Sequence, residues 1–399
     1  MHVSHFARAP RLVLPRCLAG VTAAALLALL TPGGVRAEPL QPTSDTQVVE
    51  TLPSAGRARA EERALRQRWA AEPGNATVAV SLARRYLDQA RDQGDPRLAG
   101  RALAMLQHWP RLDTAPAEVV LMAATLQQYL HDFDGAAREL EGLVQRDPSQ
   151  AQAWLTLATI RRVQGRYDAS DTACRGLLAT GSTFYGRACE AENLSLRGRN
   201  DAAREVFARL LAPRELPASA RAWLMTTLAE IDARTGRRAE AEAGFRAVLA
   251  ADSNEYARLT FADFLLDNGR AADAVALLKD QPRTDGLLLR LAIAGLRAGT
   301  PQSRADVAEL RARMAQAALR PEARTTHARE QAMFALHIEG RPDRALEFAR
   351  MNVDLQREPI DLLVLAQASR AAKDETGLML ARRIRQDMGL HDARLDALL

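Results

Sequence analysis

The sequence predicts an all-α protein built from a repeated pair of helices. The chain has 399 residues, 47% of them hydrophobic but only 5% aromatic. Alanine, leucine and arginine dominate, which favours helices packed through small residues over the β-branched and aromatic runs of a sheet. Two consecutive windows, one period of 34 residues apart, also carry the same order of apolar stretch, polar turn and apolar stretch. We therefore expect almost no strand and a solenoid of antiparallel helix pairs.

The two windows are Ala117 to Gln150 and Ala151 to Thr183. The first carries alanine and proline landmarks, and the second carries Trp154 and Leu157. Together they resemble the tetratricopeptide repeat (TPR), whose pattern is W-x2-L-G-x2-Y, then A-x3-F, then P. The resemblance implies a right-handed superhelix whose concave groove binds a protein or peptide.

Beyond these windows, a turn glycine followed five residues later by alanine recurs along the chain. Glycine suits a tight turn between helices, and alanine lets the second helix approach the first closely. We predict that large apolar residues at the next inward position are buried. The pairs are Gly198 and Ala203, Gly236 and Ala241, Gly269 and Ala274, and Gly340 and Ala345, and the large residues are Phe207, Phe245 and Leu278.

The first 37 residues are typical of a secretory signal peptide. Three arginines precede an apolar stretch from Leu18 to Leu30, and Val35-Arg36-Ala37 forms a small-x-small cleavage signal. We expect export to the periplasm, with an extracellular location or an anchor formed by an uncleaved signal as alternatives. After removal of the signal we expect no transmembrane segment.

Charge gives no indication of nucleic-acid binding. The formal charge of +5 falls to about +1 without the signal segment, which holds four arginines and no acidic residue. Basic and acidic residues alternate along the remaining helices instead of forming a basic patch.

The mature chain divides into an arm and a repeat array. Residues 38–56 are polar and aperiodic and predict a flexible arm. Residues 57–399 predict the solenoid of seven to nine helix pairs, starting with a capping helix over Arg57 to Ala71. Pro301 to Leu319 predicts a longer helix in an insertion, and Ile360 to Leu390 predicts a final pair that closes the stack.

The two cysteines of the mature chain are candidates for a structural disulfide. Cys174 falls in the second helix of one repeat and Cys189 in the first helix of the next, with the connection near Gly181. Two antiparallel helices with that connection bring these positions level, and an exported protein meets an oxidising compartment. Two free, buried cysteines are the alternative.

The resemblance to the tetratricopeptide repeat implies that the first helices line the concave groove, and we examine one face of these helices for binding residues. Aromatic residues occupy matching positions in three successive repeats, and acidic residues recur further along the same helices. Such a stripe suits an extended peptide or a glycan. The alternative is that the aromatic rings pack against neighbouring helices and the acidic side chains are solvated. The candidates are Tyr185, Trp223, Tyr256, Glu192, Glu230 and Asp263.

Motifs for catalysis, cofactors or metals are not found. The sequence has no H-E-x-x-H, no G-x-S-x-G, no phosphate-binding glycine loop and no paired C-x2-C. The positions at which TPR proteins clamp a carboxylate hold Leu121, Thr125, Leu155 and Thr159, so that clamp is absent. The histidines of the mature chain are scattered, whereas zinc needs three or four converging ligands. They are His108, His131, His327, His337 and His391.

These observations predict a non-catalytic interaction scaffold of the cell envelope, with a protein or peptide partner and no cofactor. One alternative is a glycan-binding module in polysaccharide export. Another is an enzyme or metal-handling factor with its site in the insertion at residues 301–340.

Overall fold

The computed structural model describes residues 56–93, 95–251, 255–319 and 327–399. In these ranges the chain is helical and contains no strand. The helices are Gly56–Ala71 (α1), Ala76–Gln93 (α2), Pro96–Met105 (α3), Ala117–Tyr129 (α4), Phe133–Arg146 (α5), Ala151–Val163 (α6), Tyr167–Ala179 (α7), Thr183–Leu196 (α8), Asn200–Leu211 (α9), Ala218–Arg234 (α10), Arg238–Ala251 (α11), Glu255–Asp267 (α12), Ala271–Leu278 (α13), Asp285–Ala298 (α14), Ser303–Ala317 (α15), Ala328–His337 (α16), Pro342–Leu355 (α17), Pro359–Ala372 (α18), Glu375–Met388 (α19) and Ala393–Asp396 (α20).

From α2 to α19 the helices form consecutive pairs, in which an even-numbered first helix precedes an odd-numbered second helix. The predicted all-α solenoid is confirmed. The predicted signal peptide and all but the last residue of the predicted arm lie outside the described residues.

The turn between the two helices of a pair has a left-handed residue. Gly198, Gly236, Gly269 and Gly340, the glycines expected at tight turns, all have positive φ. In the first of the two best-matching repeats, His131 takes this position with a φ of 63°, one repeat before Gly165. A residue with a side chain is strained in this left-handed conformation, yet His131 adopts it. The turn therefore requires the left-handed conformation more strongly than it requires glycine.

Small residues five positions after the turn are completely buried. Ala203, Ala241, Ala274 and Ala345 are each 0% exposed. The large residues predicted to follow them are buried as well, since Phe207, Phe245 and Leu278 are at most 2% exposed. In the repeat that starts at α6, Ser170 takes the alanine position and donates a 2.9 Å hydrogen bond to the carbonyl of Ala158. The periodic alanine therefore marks the place where the two helices of a pair touch.

The disulfide candidates lie on α7 and α8. The structure joins Cys174 to Cys189, with Cα atoms 5.7 Å apart and a sequence separation of 15 positions. Both side chains are buried. Asn193 lies beside the bridge, donating through its amide to Ser170 Oγ at 3.0 Å.

The insertion departs from the predicted helix length. Helix α15 spans Ser303–Ala317, shorter at both ends than the predicted Pro301 to Leu319. Pro301 and Gln302 precede the helix, which begins at Ser303. The Ser303 hydroxyl donates to the Thr300 carbonyl at 2.7 Å. Residues 320–326, in the same insertion, lie outside the described part of the chain.

The C-terminal helices also contact repeats far from them in sequence. The backbone amide of Arg357 donates to the carbonyl of Val163 at 2.7 Å, and that of His391 donates to the carbonyl of Leu196 at 2.8 Å. In each of these two hydrogen bonds, the donor and the acceptor are separated by nearly the same length of chain, roughly six repeats. The connections that follow α17 and α19 therefore lie against the turns that follow α6 and α8.

The predicted closure of the stack is thus only part of what the last helices do. The predicted final pair corresponds to α18 and α19, but the short α20 follows it. On α20, Arg394 lies 3.7 Å from Asp267 at the end of α12. The C-terminal segment therefore contacts the middle of the array through both side chains and backbone groups.

Candidate interaction face

The aromatic candidates divide into a contacting pair and a separate tyrosine. The rings of Tyr185 on α8 and Trp223 on α10 have centroids 6.0 Å apart at an interplanar angle of 32°. Tyr185 remains 43% exposed. Tyr256 on α12 is 55% exposed and bonds to a carboxylate instead of an aromatic ring. The structure thus places the three aromatic residues on one series of first helices but does not stack them continuously.

Glu230 on α10 is the carboxylate that Tyr256 contacts. The Tyr256 hydroxyl donates to Glu230 Oε1 at 2.8 Å. Burial raises the pKa of Glu230 to about 7, and the nearby Glu192 and Glu358 carboxylates act in the same direction. The Arg234 guanidinium and the Tyr256 hydroxyl oppose the shift without cancelling it. Glu230 therefore changes charge near neutral pH.

The other two acidic candidates are neutralised by arginine. Glu192 lies 2.9 Å from Arg162 of α6. Asp263 on α12 accepts two hydrogen bonds of 2.9 Å from the guanidinium of Arg290 on α14. Arg290 is only 6% exposed, so its charge depends on this two-point contact.

These contacts share a geometry, because each joins the first helices of neighbouring repeats. Tyr185 and Trp223 join α8 to α10, Glu230 and Tyr256 join α10 to α12, and Asp263 and Arg290 join α12 to α14. We call this row of side chains, with Arg162 and Glu192, the inner ladder. Most of the predicted site residues therefore bridge repeats, and the exposed parts of the tyrosine rings remain open to a ligand.

Sequence reasoning missed the basic members of this face. Arg162 and Arg290 were not among the predicted residues, and neither was Arg329 on α16. Arg329 donates from Nε to Asp361 Oδ1 at 2.6 Å and lies 2.5 Å from Glu358. Each partner lies in a neighbouring repeat, so a comparison of the charged residues of successive first helices would reveal such pairs.

The histidines are close to charged or aromatic groups but do not converge. His131 and His327 have ring centroids 6.4 Å apart, and His337 Nδ1 lies 3.2 Å from an Arg297 nitrogen. Burial, followed by the Arg297 charge, lowers the pKa of His337 to about 4. Within the described ranges no group of three or more potential ligands could hold a metal ion. The insertion proposed as a rival site is described only up to residue 319 and again from residue 327.

The carboxylate-clamp positions carry no free polar groups toward a ligand. The Thr125 hydroxyl donates to the Leu121 carbonyl at 2.7 Å, and the Thr159 hydroxyl donates to the Leu155 carbonyl at 3.1 Å. Both hydroxyls therefore bond within their own helices.

None of the helices in the described residues combines the length and the apolar character needed to cross a bilayer.

Comparison with known proteins finds similarity of structure alone. No protein-family model matches the chain, and no curated protein does so either. A tetratricopeptide repeat protein from Parabacteroides merdae is 16% identical, with a TM-score of 0.46 over 59% of this chain and 91% of that one. PilW, a type IV pilus biogenesis factor, is 20% identical, with a TM-score of 0.40 over 53% of this chain and 99% of that one.

A Rap protein complexed with competence and sporulation factor is 11% identical, with a TM-score of 0.44 over 85% of this chain and 100% of that one. Consecutive antiparallel helix pairs, left-handed turns and buried alanines are present in the chain itself. On these features the fold is that of a TPR-like helical repeat protein.

Proposed function

We propose that this protein is a non-catalytic scaffold of the cell envelope and binds an extended polypeptide along its inner ladder. The observation that carries the proposal is the exposure of Tyr185 and Tyr256 on the first helices. Exposed tyrosines offer a large apolar surface with a polar tip at a small cost in conformational entropy, which suits a binding face. No chemistry on the ligand is required.

The envelope location is supported by two features of the sequence. The signal-like segment at residues 1–37 favours export. A disulfide between Cys174 and Cys189 suits an oxidising compartment such as the periplasm.

A capture experiment tests the binding face. The chain is immobilised and exposed to envelope proteins, beside a variant with Tyr185→Ala, Trp223→Ala and Tyr256→Ala. A matched control replaces three exposed apolar residues elsewhere, Leu296→Ala, Leu319→Ala and Met379→Ala. Circular dichroism first verifies that both variants retain the helicity of the wild type.

We expect the wild type and the control to retain the same partners and the ladder variant to lose them. Equal capture by all three proteins would place the interface on another surface. If no protein is captured, but envelope polysaccharide binds to the wild type and not to the ladder variant, the ligand is a glycan and not a peptide.

A further inference from the structure

The inner ladder contains a carboxylate without a cationic partner. In the described residues, no arginine, lysine or histidine nitrogen lies within 4.0 Å of the Glu230 carboxylate, which accepts from the Tyr256 hydroxyl. Glu192 and Asp263, the equivalent residues of the neighbouring repeats, both have an arginine within that distance. Glu230 is therefore the position on this face at which a positive charge is missing.

The surroundings of Tyr256 are negative. Apart from burial, the groups that raise its pKa are all carboxylates, namely Glu230, Glu358 and Glu192. Glu358 comes from the connection before α18, so the C-terminal repeats supply one of the three charges. Glu192 and Glu358 are each paired with an arginine, so Glu230 is the carboxylate of the three that a basic group from a ligand would compensate, because an isolated charge in a poorly solvated space is costly.

The nearest arginines are already engaged. Arg162 pairs with Glu192, and Arg329 pairs with Asp361 and Glu358. Arg234 has the largest electrostatic effect on Glu230, but its Nη2 donates to Ser195 Oγ at 3.0 Å. It is 8% exposed and beyond ion-pair distance from Glu230.

Two buried donors in the same region also lack an acceptor. The Tyr167 hydroxyl and the Arg234 Nε have no hydrogen-bond partner, and both residues are more than nine-tenths buried. The charges that act on the Tyr167 hydroxyl are those of Arg234, Arg162, Glu358 and Arg197. A buried donor without an acceptor destabilises the folded chain, and a peptide carbonyl that reached it would supply the missing acceptor.

We propose that Glu230 and Tyr256, whose side chains are hydrogen-bonded to each other, form a site for a lysine or arginine side chain of the bound polypeptide. The proposal rests on the function proposed above and specifies the chemistry of the partner. The cation bonds to the Glu230 carboxylate and lies against the exposed Tyr256 ring, where a cation–π contact adds to the ion pair. The backbone carbonyls of the same peptide distinguish it from a free polyamine, which offers no acceptor to Tyr167 or Arg234.

The site also implies pH dependence. Glu230 faces Glu192 on α8, Arg234 on its own helix, Tyr256 on α12, Glu358 before α18 and Arg394 on α20. Because burial raises its pKa to about 7, the carboxyl is mostly neutral at pH 6 and mostly charged at pH 8. A cationic ligand binds the charged form, so its affinity increases about tenfold over this range, the effect of one linked proton.

The test measures fluorescence anisotropy of labelled short peptides that differ only in carrying lysine, alanine or glutamate, with the chain as titrant. We expect the lysine peptide to bind most tightly, and Glu230→Gln to weaken it about tenfold and remove its pH dependence. Glutamine retains an acceptor for Tyr256. Glu240→Gln, on an exposed part of α11, is the matched control and leaves the affinity unchanged.

Each other outcome has a separate meaning. In one such outcome, the alanine and glutamate peptides bind as tightly as the lysine peptide, and the variant with Tyr185→Ala, Trp223→Ala and Tyr256→Ala binds none of them. This result would overturn the site for a basic side chain while supporting the scaffold. Spermidine that displaces the lysine peptide at equal concentration would overturn the polypeptide source of the cation. Lysine-peptide binding that is equal at pH 6 and pH 8 in the wild type would overturn the role of Glu230 without reference to any variant. If none of the peptides binds, both proposals fail.

Discussion

The regular repeats of α4 to α7 and the C-terminal repeats of α16 to α19 use the same helix pair but are stabilised differently. The first region packs through an apolar core in which Leu126, Leu140 and Ile160 are completely buried. The second also has an apolar core, but it buries a polar network around Asp361. The comparison shows that a regular repeat pattern in the sequence indicates the geometry of the helix pairs. It does not reveal which repeats are stabilised by buried polar contacts.

The Asp361 network is fully bonded. Its carboxylate, 1% exposed, accepts from Arg329 Nε at 2.6 Å, from Asn352 Nδ2 at 2.6 Å and from the Glu358 amide at 2.7 Å. The last bond belongs to the capping box that begins α18. One side chain thus fixes the start of a helix and its contact with the preceding repeat.

The largest expected effect comes from the buried contact between the two helices of a pair, which both regions share with the repeats between them. Ala241→Arg places a long charged side chain at a position with 0% exposure. We expect a loss of about 4 kcal/mol or more in the free energy of unfolding, because the helices must separate or bury the charge. Ala203→Arg should act in the same way. Urea unfolding followed by circular dichroism measures the loss.

Ala239→Arg provides the control, since this alanine is exposed on the same helix. An unchanged midpoint for Ala241→Arg would mean that the buried contact does not exist.

The next effect distinguishes the C-terminal region. Asp361→Ala removes the shared acceptor and leaves buried donors of Arg329 and Asn352 unpaired. We expect a loss of about 3 kcal/mol or more in the free energy of unfolding. Asp354→Ala, on an exposed part of α17, should stay within about 0.5 kcal/mol of the wild type. Equal small losses would show that the network contributes little.

The disulfide distinguishes the region around α7 and α8. Cys174→Ala with Cys189→Ala removes a bridge across 15 residues, and we expect a loss of about 3 kcal/mol. Thiol titration of the denatured, unreduced protein should find no free thiol at these two positions. Two free thiols would contradict the bridge, whatever the stability of the variant.

The smallest effect tests the contact between distant repeats. Gly165 and Gly181 both have positive φ, so alanine strains either turn. At Gly165 the new Cβ would also lie 2.8 Å from Met388 Sδ, whereas at Gly181 it would meet nothing within 4 Å. We expect Gly165→Ala to cost about 1 kcal/mol more than Gly181→Ala in the free energy of unfolding. Equal costs would mean that α19 does not contact the α6 to α7 turn.

The candidate site was only partly predictable. The matching positions of Tyr185, Trp223 and Tyr256 are visible because they recur at the repeat spacing. Their contacts are not, since Glu230 accepts from a tyrosine of the next repeat while Asp263 accepts from a buried arginine of the next repeat. The difference depends on the rotation between repeats and on which side chain reaches across, and neither is a property of one helix.

By itself the sequence determined the helix pairs, because helical spacing, left-handed turns and small contact residues act within one repeat or between neighbours. Tertiary structure alone decided that Arg357 would bond to Val163 and His391 to Leu196. Small rotations add up over roughly six repeats before those backbones meet. No pattern within one repeat shows this accumulated rotation. The contact between Arg357 and Val163 also brings Glu358 to the carboxylates of the inner ladder.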